Sequence, residues 1–118
     1  MSLGHAVRGL RDILKTEHNA RVHACFTITV LALSAWLEID ILHFVLIVLV
    51  IALVWITESL NTVLEIVFDI VSPQYTEFAK RAKDIAAAAV LVASFGAAVT
   101  GFILLGPPLL AKLGIGFN

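Results

Sequence analysis

Charge is scarce in this chain of 118 residues: only 14% are Asp, Glu, Lys or Arg, where a soluble domain carries about 25%. With eight basic residues and a formal net charge of −1, it lacks the broad basic surface that binding to a phosphate backbone requires, so no nucleic-acid partner is expected. Cys25 is the lone cysteine, which excludes an intrachain disulfide and a cysteine-built zinc cluster; it reads as a small apolar residue. The four histidines form no HExxH motif, and His18 and His23, five residues apart, do not share a helical face as paired ligands would. No zinc site is expected. GHAVRG at 4–9 has the glycine spacing of a P-loop start but lacks the Lys-Ser/Thr that should follow, and no GxGxxG occurs, so any nucleotide site is of another kind.

What is abundant is apolar surface. Hydrophobic residues make up 60% of the chain and the mean hydropathy is +1.00, which indicates a single all-α domain in a membrane. Three apolar segments stand out, at about 22–37, 41–57 and 85–106. The first two are short for a hydrocarbon core about 30 Å thick and must draw on flanking polar residues or thin the bilayer. Ahead of them, residues 1–21 interleave Val7, Leu10, Ile13 and Leu14 with Arg8, Arg11, Lys15 and Arg21, the pattern of an amphipathic helix lying on the membrane surface. Ala32-Leu-Ser-Ala35 resembles a signal-peptide cleavage site, but a long polar region precedes it and two more spans follow, against a cleaved leader.

Basic residues set the orientation. Seven of the eight lie before span one or between spans two and three, and Lys112 alone follows span three, which places the N-terminus and the 72–84 loop in the cytoplasm. In that loop Ser72-Pro73 reads as an N-cap followed by a first-turn proline, starting the third long helix. Ala89, Ala93, Ala97 and Gly101 then recur every four residues, the small-residue seam along which membrane helices approach closely.

The segment ESLNTVLEIVFD, residues 58–69, concentrates the chemistry. On a helix Glu58, Asn61, Glu65 and Asp69 fall within an arc of about 80°, while Leu60, Val63, Leu64, Ile66, Val67 and Phe68 occupy the remainder. An acid at the end of a span is a functional-site candidate, and Glu58 abuts the apolar run most directly. Glu17 before span one and Lys83-Asp84 before span three can reach the same side. Carboxylates with an amide suit a hard cation such as Mg²⁺, a lysine suits phosphate, and one carboxylate remains as a base. Together they point to phosphoryl transfer at a membrane surface. The competing class is a small oligomeric cation transporter or channel, whose acids would cluster at the bilayer midplane.

ESLNTVLEIVFD followed by SPQYTEFAKRAKDIAAAAVL resembles the small integral-membrane diacylglycerol kinase and undecaprenol kinase family of bacteria. That family's pattern is ExxNTxxExxxD with a Lys-Asp pair before the last span. The likeness runs from Gly9-Leu10-Arg11 through span three. It implies an ATP- and Mg²⁺-dependent lipid kinase of the bacterial inner membrane, a homotrimer with active sites at subunit boundaries, serving lipid recycling. Carried onto this chain, Glu58 would be the general base, and Glu17 and Glu65 would hold Mg²⁺ and the ATP phosphates. Asn61, Asp69, Lys83 and Asp84 would line the nucleotide site, with Arg8 and Arg11 helping from the surface helix. His23 and Ala87 depart from the diacylglycerol kinase branch, where an acid and a serine stand. ARVH and SPQYTEFAKRAKDIAA look closer to the undecaprenol kinase branch, so a polyprenol acceptor is expected and diacylglycerol is the alternative. His23 itself is expected to be structural.

Overall fold

The computed structural model describes residues 2–115; Met1 and residues 116–118 lie outside it. It is all helical in the described residues: α1 (Leu3–Thr16), α2 (His18–Leu37), α3 (Ile41–Val71) and α4 (Glu77–Lys112). The last three are each long and apolar enough to cross a membrane. At 1.5 Å per residue α3 and α4 are about 46 and 54 Å long, well beyond a hydrocarbon core, so each carries several turns outside it.

α1 starts where Ser2 Oγ accepts the His5 amide at 3.3 Å. Its apolar residues Leu3, Val7 and Leu10 are exposed, whereas Ile13 is buried, leaving an uncovered apolar stripe suited to lipid. The expected surface helix over 1–21 is divided: backbone at Glu17 is extended (φ −109°, ψ 119°), and residues 18–21 already belong to α2. Arg21 secures the joint. Its Nε donates to the Leu14 carbonyl at 3.0 Å and its Nη2 to the Lys15 carbonyl at 2.6 Å, satisfying oxygens that the end of α1 would leave open.

α2 turns into α3 over three residues. Glu38 adopts a left-handed conformation (φ 51°), its amide bonding back to Ser34 and Ala35 carbonyls. That costs a non-glycine residue roughly 1–2 kcal/mol, accepted for a reversal this tight. At the other end of α3, the Ser72 amide bonds to the Phe68 carbonyl at 2.9 Å and Pro73 stops the helix. Ser72 is therefore the C-cap of α3 and not the N-cap expected from Ser72-Pro73. The true N-cap is Thr76, whose Oγ1 accepts the Ala79 amide at 3.0 Å; a hydroxyl three residues before a free amide has the reach that Ser72 lacks. α4 continues through Pro107 and Pro108 to Lys112. It ends with the Ile115 amide on the Leu110 carbonyl (2.8 Å), the Gly114 amide on the Ala111 carbonyl (3.2 Å) and Gly114 at φ +76°, the paired-bond terminus that favours glycine.

α3 and α4 form the principal packing, α2 lies across both, and α1 touches α2. Most apolar residues face outward, Phe102 being 79% exposed and Leu91 and Val92 71%; water would not tolerate this surface and lipid does. The alanine seam is not a close helix contact within the chain, because a Cβ built at Gly101 meets nothing within 4 Å.

The α2–α3 register is fixed by polar groups. Trp55 Nε1 donates to Thr27 Oγ1 at 2.9 Å, and the same hydroxyl donates to the His23 carbonyl at 2.7 Å. At the opposite end Lys112 Nζ donates to the Trp36 carbonyl at 3.1 Å and lies 4.7 Å from the Trp36 ring centroid, joining α4 to the end of α2. In reversible denaturation from micelles, Trp55→Phe and Thr27→Val should each destabilise by about 1 kcal/mol, and the double variant should cost less than their sum.

Candidate functional site

The narrow polar face of α3 descends in burial from one residue to the next. Glu58 is 2% exposed, Asn61 and Glu65 are half-buried, and Asp69 is exposed. These four residues span about three helical turns, or about 16 Å, leading from the packed interior to the surface.

Glu58 lies against His23 of α2, with Nε2 and Oε2 3.5 Å apart and side-chain exposures of 18% and 3% respectively. His23, expected to be structural, is thus the polar neighbour of the most buried acid. The two positions lie at unequal distances from the 38–40 turn, so counting residues across it does not pair them; the packing of α2 on α3 does, and Thr27–Trp55 lies in nearly the same register. Thr62, also buried, spends its hydroxyl on the Glu58 carbonyl at 3.1 Å and leaves the carboxylate to His23.

One turn on, Asn61 Nδ2 donates to Glu65 Oε1 at 3.4 Å. Its Oδ1 is buried without a hydrogen-bond partner, an arrangement that costs about 1–3 kcal/mol unless something occupies it. An unpaired amide oxygen beside a carboxylate is a hard-oxygen donor set, which fits Mg²⁺. Among the described residues no three His, Cys, Asp or Glu side chains gather as a metal cage. Mg²⁺ does not need one, because it keeps waters and phosphate oxygens and takes one or two carboxylates. Glu17 is half-buried at the α1–α2 joint.

α4 brings the cations. Lys83 Nζ reaches Asp69 Oδ1 across the helix pair at 3.0 Å, and Lys80 Nζ bonds Asp84 Oδ2 one turn along α4 at 2.7 Å. That hydrogen bond, with the Asp84 charge behind it, raises the Lys80 pKa above the ordinary lysine value. Lys83 and Asp84, adjacent in sequence, therefore serve different neighbours: Lys83 the acidic face, Asp84 an open groove of about 820 Å³ lined also by Glu77, Phe78, Lys80 and Arg81. Glu58 does not line this groove. Arg8 and Arg11 are exposed on α1, and Arg8 turns back to the Gly4 carbonyl at 3.4 Å; neither pairs with the acids among the described residues. A second groove, about 650 Å³ and almost wholly apolar, runs between α1, α2 and α3 past Leu10, Leu14, Ile28, Trp55 and Leu60.

Comparison with known proteins follows the same outline. A family model described as "Prokaryotic diacylglycerol kinase" matches residues 4–105. The chain is 38% identical over 114 residues to a diacylglycerol kinase of Synechocystis sp., covering 96% of this chain but 65% of that relative. It is 35% identical over 102 residues to the diacylglycerol kinase of Escherichia coli K12, covering 86% and 84% of the two chains. It is 33% identical over 108 residues to the undecaprenol kinase of Bacillus subtilis, covering 92% and 88%. Identities of 35% and 33% do not separate the two acceptors.

Asp69 and Lys83 are 70% and 39% exposed at their side chains, so solvent screens their pairing. A double-mutant cycle with Asp69→Asn and Lys83→Met should yield a coupling below about 1 kcal/mol that fades in high salt.

Proposed function

The chain belongs to the prokaryotic diacylglycerol kinase family, and from that premise we propose that it is a lipid kinase, transferring the γ-phosphoryl group of ATP to the hydroxyl of a membrane lipid. The single observation that carries this reading is Glu58, a carboxylate buried to 2% exposure at the head of a one-sided polar face that ends against Lys83. A transporter would place acids along a path at the bilayer midplane; here they run past the span and end against Lys83.

In this mechanism Glu58 Oε takes the proton of the acceptor hydroxyl as that oxygen bonds the γ-phosphorus and the bond from γ-phosphorus to the β-bridging oxygen breaks toward ADP. The apolar groove between α1, α2 and α3 holds the lipid tail and sets the hydroxyl near the end of the span. Glu17 and Glu65 would hold Mg²⁺, and the unpaired Asn61 oxygen would be a further donor. When bound, the ion neutralises phosphate charge. Lys83 and Lys80 add positive charge where the phosphates lie, and Asp69 and Asp84 keep those ammonium groups oriented. Arg8 and Arg11 serve the nucleotide from the surface helix.

The site lies on the cytoplasmic side of a bacterial inner membrane, since seven of eight basic residues fall at that end. A homotrimer completes it: the protomer alone leaves Leu91, Val92, Phe95 and Phe102 of α4 exposed, a face that a second copy can meet. The acceptor is undecaprenol, on the resemblance of ARVH and SPQYTEFAKRAKDIAA to that branch, with diacylglycerol the competitor named by two of the relatives.

Glu58→Gln should lower kcat by about 10²-fold or more with ATP affinity close to wild type; a fully active variant would remove Glu58 as the base. In Mg²⁺-ATP micelle assays with undecaprenol and diacylglycerol offered separately, undecaprenol should give the higher kcat/KM. Transfer to neither lipid would sink the kinase reading.

A further inference from the structure

The base as described leaves a proton without an exit. Glu58 is packed to 3% side-chain exposure, Thr62 donates to its backbone and not its carboxylate, and no other hydrogen-bond or ion-pair partner meets that carboxylate among the described residues besides His23. A protonated Glu58 cannot serve a second turnover until it is discharged. We propose that His23 is the positioning residue that holds Glu58 and receives its proton.

The inference rests on the lipid kinase reading and deepens it. Three features of the structure support it. The Nε2–Oε2 separation of 3.5 Å is short enough for direct transfer with a small side-chain adjustment. His23 is 18% exposed at its side chain against 3% for Glu58, so the pair forms a gradient from the interior outward. The backbone of His23 is also fixed: its carbonyl receives the Thr27 hydroxyl at 2.7 Å, and that hydroxyl in turn receives Trp55 Nε1 at 2.9 Å from α3. One inter-helix bond, from Trp55 to Thr27, thus holds the α2 turn that carries His23 against the helix that carries Glu58.

The steps balance. The lipid O–H gives its proton to Glu58 Oε as the new O–P bond forms and the electron pair of the broken P–O bond leaves with ADP. Glu58 Oε2–H then passes the proton to the lone pair of Nε2 on a neutral His23 imidazole, restoring the carboxylate and leaving an imidazolium. The imidazolium gives its proton to water at the α1–α2 joint, beside the polar stretch KTEHNAR. No outside oxidant or reductant is involved. Imidazole is suited to this role because it both accepts and releases a proton near neutrality.

The test uses the full chain in micelles with Mg²⁺-ATP and whichever of undecaprenol or diacylglycerol the wild type phosphorylates. His23→Gln keeps an amide beside Glu58 but cannot relay a proton; His23→Ala opens space for free imidazole. Both should lower kcat about tenfold or more while KM for ATP stays within about twofold, and added imidazole should restore turnover of H23A but not of E58Q. His23→Gln at wild-type kcat, or an H23A defect that imidazole leaves unchanged, overturns the proposal. A readout independent of turnover is the ¹⁵N resonance of His23 Nε2, which should move on Glu58→Gln; an unmoved resonance also overturns it. Wild-type protein that phosphorylates neither lipid defeats the kinase reading and the relay with it, whereas active wild type with fully active H23Q defeats the relay alone.

Discussion

A carboxylate packed at the end of a membrane span has few ways to persist. Taking an unpaired charge out of water costs several kcal/mol, and the neighbouring hydroxyls of Thr57 and Thr62 on α3 are spent on backbone carbonyls, which leaves none of them for the carboxylate. The contact between Glu58 and His23 therefore constrains much of the protomer. α2 and α3 must keep one register, so the reversal at Glu38 is tight enough to require a left-handed residue. The Trp55–Thr27 hydrogen bond, a turn away from that pair, holds the same register from the apolar side. What reads as helix packing is equally the scaffolding of one acid.

The polar face beyond Glu58 follows a graded rule. Asn61 and Glu65 share a hydrogen bond and leave one oxygen open, and Asp69 meets Lys83 where solvent weakens the pair. Burial falls along this face as the partners change from imidazole to amide to ammonium. Each group is matched to the water around it: the most buried acid has the partner that can be neutral, and the most exposed has the permanent cation. The orphan Asn61 oxygen breaks the pattern, and it is also the place where a ligand oxygen or metal ion relieves an otherwise unfavourable burial.

Much of this was legible in the residues. Helical periodicity put Glu58, Asn61, Glu65 and Asp69 on one face because their spacing alone determines the angle, and apolar length gave three spans because lipid demands it. Helix boundaries were less legible. Ser72 and Thr76 are both hydroxyl residues ahead of α4, and only the path of the chain after Pro73 decides which hydroxyl reaches a free amide. The third apolar segment was placed at about 85–106, yet α4 continues through Pro107 and Pro108 to Lys112. The contact of His23 with Glu58 was hidden for a different reason: the two are 35 residues apart in sequence, and pairing across a turn depends on register, which no local pattern encodes. Lys83 and Asp84 read as a unit, but consecutive residues on a helix point about 100° apart, and they meet different neighbours.

Arg21 has a mechanical consequence. By holding the last carbonyls of α1 from the first turns of α2, it joins a helix shaped to float on the bilayer to one shaped to pierce it. The two form a bracket whose bend is the extended backbone at Glu17, clamped by a single guanidinium. His23 stands less than two turns along the piercing arm from that bend, so the partner of the buried acid is anchored close to where the two arms meet.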